Sequence, residues 1–219
     1  MPLIGPLACY AVKLVPDFGG RGRSTMFDNL RADIQRAKWD RVGTLGQGVW
    51  KRGEWLQTLR VLMAQNTWSV IAYRFSHWAT KIRVPVVKQL VLLVAMIFQR
   101  WVELWNGVFI SREAEIGPGL IVHTPYGICI GPTRIGANCT VGTGVLIAGG
   151  SRGVGDNVYF GPGAKLIGDA KIGNNVVILA NSTVITDVGD NLTVMGVPAR
   201  IRLPGGKVRR FPRQPAQKS

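Results

Sequence analysis

From Ile110 to Val184 an apolar residue returns every six positions, and that period rules out most folds. One phase holds Ile110, Ile116, Val122 and Ile128. An extra residue leads to Ile135, Val141 and Ile147, and another to Val154, Phe160, Leu166, Ile172, Ile178 and Val184. Glycine often follows, as at Gly117, Gly136, Gly142, Gly155, Gly161 and Gly173, and a small or β-branched residue such as Ala114, Cys139, Val145 or Ala164 stands four places on. Helices repeat at about 3.6 residues and strands at about 2, so neither explains a period of six. The pattern is that of a parallel β-helix, in which each unit makes one short strand and three units close a triangular coil. The recurrent apolar side chains then stack inside. Glycine serves corners that need positive φ or close approach, and the small residue fits the narrowing interior.

The chain before Asn106 reads as helical. Aromatic and aliphatic residues recur at helical spacing in "EWLQTLRVLMAQ", "TWSVIAYRFSHWATK" and "VPVVKQLVLLVAMIFQRWVELWNG". Pro85 is placed to open the last of these helices and Gly107 to end it. The expected organisation is a poorly defined, partly disordered segment at 1–50, an α-helical domain at 51–106, the β-helix at 107–199 and a basic tail at 200–219. Between Gln89 and Gln99 lie eleven uncharged residues bounded by Lys88 and Arg100, short of the roughly 20 that a membrane span needs. Core or trimer packing is expected for this helix, with an interfacial helix as the second reading.

The net charge of +15 is unevenly placed: residues 1–106 hold 15 Lys and Arg against 6 acids, 107–199 hold 5 against 6, and 200–219 hold 7 against none. Such a distribution fits contact with an anionic surface as well as it fits a solvated face. Nucleic-acid binding has charge but no motif behind it. Cys9, Cys129 and Cys139 are odd in number and widely spaced, which excludes a disulfide framework and a zinc site and favours a reducing compartment. The first sixteen residues have no basic leader, so no signal peptide is expected.

"IGPGLIVHTPYGICIG", "VLIAGGSRG" and "VMGVPARI" are similar to the turns, the Gly-Gly loop and the closing segment of the left-handed β-helix acyltransferases, in particular their serine acetyltransferase-like branch. "LRVLMAQNTWSVIAYRFSHW" resembles the helical domain that precedes the barrel there. The resemblance implies a left-handed coil, a hand that periodicity does not give. It also implies a homotrimer with clefts between subunits, an acetyl-CoA donor, no metal, and direct attack of an acceptor hydroxyl on the thioester. Under that resemblance His123 is the general base. The turn Ala148, Gly149 and Gly150 supplies oxyanion N–H groups. Pro162 and Ala180 lie where the coils approach CoA, and Arg152, Lys165 and Arg200 are candidates for its phosphates. His77 is expected to pack structurally. With two histidines in the whole chain, a three-histidine metal hydratase is excluded.

Three departures bear on the acceptor. The family's acidic residue at the turn opening the barrel is matched by Phe109, the loop after Gly-Gly is the short "SRGVGDN" without a histidine, and the chain ends in Ser219 rather than isoleucine. Glu113 or Glu115 is the substitute considered for orienting His123. These features give as first expectation an O-acetyltransferase acting on a sugar or polysaccharide precursor, cytoplasmic and peripheral on the inner face of the membrane at an anionic surface. Serine O-acetyl transfer in cysteine biosynthesis is the alternative, and a non-catalytic β-helix scaffold the second alternative.

Overall fold

The computed structural model describes residues 25–45, 58–59, 61–203 and 207–209. Residues 108–194 wind into a parallel solenoid of about five coils with three faces. One face stacks the strands Val108–Ile110, Ile128–Ile130, Leu146–Ile147, Lys165–Leu166 and Thr183–Val184. The second stacks Glu115–Ile116, Arg134–Ile135, Gly153–Val154 and Lys171–Ile172. The third stacks Ile121–Val122, Thr140–Val141, Tyr159–Phe160, Val177–Ile178 and Thr193–Met195.

All thirteen recurrent apolar residues are buried. They form columns because each coil sets a like side chain above the last, as in Val122, Val141, Phe160, Ile178 and Val194. One phase differs from the sequence reading. Ile130, not Ile128, continues the column of Ile110 to Ile147, while Ile128 points inward beneath Val108. The surplus residues therefore lie in the corner 123–127, which is longer than its counterparts in later coils.

The glycines that follow the columns serve close approach rather than unusual φ. A Cβ on Gly161 would stand 2.6 Å from the Ala180 nitrogen and 2.9 Å from the Ile178 oxygen, both backbone atoms of the next coil. Positive φ falls instead to other corner residues: glycines such as Gly144 and Gly163, and Asn138, Asn157, Asn175 and Asn191, asparagine tolerating that region better than most side chains. Gly161→Ala should accordingly cost about 1–3 kcal/mol in chemical denaturation, since neighbouring backbone must shift. A loss no larger than that of an exposed loop substitution would refute this account.

The first coil has no coil above it, so its upper row of N–H and C=O groups needs other partners. Helices supply them: α1 (Met26–Leu45), α2 (Gln65–Thr80) and α3 (Pro85–Asn106). Gln99 donates to the Ile110 carbonyl at 2.8 Å, His77 Nδ1 to Arg112 at 2.9 Å, and Asn66 to Val122 at 2.8 Å. Tyr73 donates to the Ala114 carbonyl at 2.7 Å and accepts from the Ile116 N–H at 3.2 Å. Burial pushes the Tyr73 phenol up to about 12, which keeps its proton in place. Arg74 donates to the Ile116 and Gly117 carbonyls, both at 2.6 Å, and is held by buried Asp33 at 3.0 Å. Arg36 reaches the carbonyls of Gly119 and Cys139. At the other end an antiparallel strand, Arg200–Arg202, covers the edge of Thr193–Met195.

Two expectations are corrected here. Residues 26–45, placed within a poorly defined segment, form α1 and bring Asp33 and Arg36 onto the solenoid. Its start was legible as Thr25-x-x-Asp28: the Asp28 N–H donates to the Thr25 hydroxyl, and the Thr25 N–H donates back to the Asp28 carboxylate at 3.0 Å. Helix α3 does begin at Pro85 and end on Gly107 with φ +62, but of the expected core or trimer packing the core half is corrected, since its buried residues within the protomer are Ala95, Val102 and Asn106.

Candidate active site

His123 follows Val122 on the third face, at the level where Gly142 and Gly161 follow Val141 and Phe160. Its N–H donates to the Val141 carbonyl at 2.9 Å, continuing the ladder of Gly142 to Phe160 and Gly161 to Ile178. The ring emerges half-buried at the corner. This corner is also the most contorted of its edge, with positive φ at Thr124, Tyr126 and Gly127. It is tied down from both sides: Asn66 holds the Val122 carbonyl, and the Thr143 hydroxyl donates to the Thr124 carbonyl at 2.7 Å. Backbone held in sparsely populated regions by surrounding bonds is common where side-chain aim matters. Asn66 was not findable from sequence, being 56 residues away with no motif of its own.

Pro162 and Ala180 share this edge. The Gly163 N–H donates to the Thr143 carbonyl at 2.7 Å and the Asn181 N–H to the Pro162 carbonyl at 2.8 Å, so Thr143, Pro162 and Ala180 descend in successive coils. Coils lie about 4.8 Å apart, which puts Pro162 about 10 Å below His123. Both residues are exposed, and with Gly161 and Gly163 they give this edge a surface of backbone and small side chains.

Ala148, Gly149 and Gly150 occupy a different edge. They follow the strand Leu146–Ile147 on the first face, whereas His123 precedes that face's strands, so the two groups stand at its opposite ends. Gly149 packs under Pro132, and Gly150 takes φ +101. Arg152, on the same edge, is already engaged: it donates to the Asp187 carboxylate at 2.6 Å and to the Asp169 carbonyl at 2.7 Å. An incoming phosphate would have to displace Asp187. Lys165 is exposed on the outer side of the first face, between Leu146 and Thr183. Phe109 belongs to the same outer column, two coils above Leu146. Arg200 is exposed beside Met195. Neither candidate acid approaches His123: Glu115 is on the second face, paired with Arg134 at 2.7 Å, and Glu113 lies in the corner leading to it. Burial pushes the Cys139 thiol up to about 12, so it is an inert core group.

The stacked coils and the histidine corner define the class: a hexapeptide-repeat transferase with a left-handed β-helix. Residues 153–186 match the bacterial transferase hexapeptide family (six repeats). The serine acetyltransferase of Staphylococcus xylosus is 35% identical over 149 residues, covering 63% of this chain and 69% of that enzyme. That of Synechococcus elongatus is 33% identical over 141 residues, covering 61% of this chain but 55% of the longer relative. A solved serine acetyltransferase in complex with CoA superposes with a TM-score of 0.63 at 27% identity, covering 80% of this chain and 69% of that one. The chain belongs to the serine acetyltransferase family.

These relatives overturn the sugar or polysaccharide acceptor expected from the sequence, and with it the role in polysaccharide biosynthesis. That expectation was drawn from missing side chains at Phe109 and in the 151–157 loop. A missing contact shows which interaction one position lacks. It does not show which substrate occupies a cleft that other residues also build.

Proposed function

We propose that the protein is an acetyl-CoA-dependent serine O-acetyltransferase with His123 as general base. The observation that carries this reading is the 35% identity over 149 residues to a serine acetyltransferase, in a chain whose solenoid lifts one histidine out of a braced corner. Imidazole exchanges a proton near neutral pH, which suits it to activating a hydroxyl. His123 takes the proton of the serine hydroxyl as the oxygen forms a bond to the thioester carbonyl carbon. N–H groups of the Gly149–Gly150 turn stabilise the resulting oxyanion. The carbon–sulfur bond then breaks, and His123 returns the proton to the departing CoA sulfur.

His123 and the Gly149–Gly150 turn lie at opposite ends of one face of a single chain, which supports a site completed by a neighbouring subunit of a homotrimer. In that assembly the edge past Pro162 and Ala180 takes the pantetheine arm, with Lys165 and Arg200 as exposed cations for its phosphates. Thiol release from acetyl-CoA, followed with and without L-serine, tests the reading. Serine-dependent release is expected. Release at the background rate, with CoA still bound, would overturn serine as acceptor, and loss of CoA binding as well would leave the scaffold alternative.

A further inference from the structure

Helix α3 shows solvent an apolar surface that the described residues leave uncovered. Val86, Leu90, Leu93, Ile97, Trp101 and Leu104 follow one another at spacings of three and four, so they share one side of the helix. Their exposure is high: 67% at Val86, 64% at Ile97 and 87% at Leu104. Contiguous apolar surface on this scale marks a contact site. Its charged surroundings are mainly basic, with exposed Glu113 beside Ile97, Trp101 and Leu104 as the acid that faces it from the barrel. Lys81 and Arg83 are exposed at the start of the helix and Arg100 lies within the apolar side. Glu103, the single acid of α3, is largely covered and held by Arg100 at 2.9 Å.

We propose that this face docks on an anionic phospholipid surface, with α3 lying in the plane of the interface. By length and composition the 22-residue helix is apolar enough to cross a membrane, which differs from the expectation based on its eleven uncharged residues. Its other side, however, is committed to protein. The Asn106 amide donates to the Gln65 carbonyl at 2.7 Å and the Ser69 hydroxyl at 3.0 Å, and Gln99 donates to the first coil of the barrel. Surrounding α3 with lipid would break these bonds, so one side enters the headgroup region and the other stays on α2 and the solenoid. Trp101 and Trp105, with ring centroids 5.6 Å apart, are both exposed on α3, and indoles favour the membrane interface. Pairing of this face with itself across a two-fold axis is the less suitable arrangement, because it would oppose Lys81, Arg83 and Arg100 to like charges on chains that each carry +15.

Vesicle flotation tests this independently of acetyl transfer. The full chain should float with vesicles of phosphatidylcholine mixed with phosphatidylglycerol, much less with phosphatidylcholine alone, and binding should weaken with salt. Leu93→Glu/Ile97→Glu should lower partitioning about tenfold or more while circular dichroism stays unchanged. Should that variant not fold, quenching of wild-type tryptophan emission by brominated phospholipid decides the matter, and its absence overturns the proposal. Equal flotation of a folded variant also overturns it. So does a wild type that ignores vesicles while the variant drops to a smaller oligomer, an outcome that assigns the face to a second copy.

Discussion

His123→Ala is expected to lose serine-dependent acetyl transfer by about 10²–10⁴-fold, the range associated with removing a positioned general base. The barrel should tolerate the change, because the equivalent place in the next two coils is Gly142 and Gly161. The backbone bond from residue 123 to the Val141 carbonyl needs no side chain. The loss should therefore appear in kcat, with CoA affinity by calorimetry and the thermal midpoint nearly unchanged. His123→Asn, which keeps polarity but accepts no proton near neutral pH, should be as inactive. A variant that retained even a third of the wild-type rate would remove His123 from the chemistry and return it to the role of a corner residue.

Arg74→Met is expected to cost about 3–5 kcal/mol of stability, because it strands a buried carboxylate along with the carbonyls of the first coil. Arg74 and Asp33 are 3% and 4% exposed, so water cannot substitute for the lost partner. Burial pushes the Asp33 carboxyl above its ordinary range, opposed chiefly by the Arg74 charge. Removing Arg74 takes away that opposition and raises the carboxyl further. A carboxyl whose folded pKa lies above its unfolded one favours the folded state below the unfolded pKa, and that advantage is lost as pH rises through the folded value. The deficit of Arg74→Met against wild type should thus shrink on acidification and be largest at neutral pH. Arg74→Lys should recover part of it, since an ammonium restores the charge but not the fork that serves a carboxylate and two carbonyls together. Chemical denaturation across pH checks both the size and the sign. A deficit under about 1 kcal/mol that does not vary with pH would mean the Arg74–Asp33 pair contributes little to closing the open end of the solenoid.

The six-residue period made the solenoid legible because each buried column is written directly into the chain. A residue at the end of a short strand meets its counterpart one coil later, and the interior admits only apolar side chains there. The same logic exposed His123, the residue that stands where glycine follows the column in the next two coils. The extra residues in its corner were misplaced by the reading, since Ile128 and Ile130 both face inward and periodicity cannot tell which one stacks. Polar groups were less legible. Asp33, Asn66, Tyr73 and Arg74 look like ordinary surface or helix residues, and their work depends on backbone N–H and C=O groups of the first coil about 40 to 90 positions away. Nothing local in a helix announces that partner, and α3 was likewise read as core or trimer packing because apolar spacing does not say what lies opposite. The short-range repeat dictated the barrel and the histidine's corner. The closing of its open end, and the parting of His123 from the Gly149–Gly150 turn onto separate edges, came from the way distant segments meet, where hydrogen-bond satisfaction and the width of one face decide the outcome.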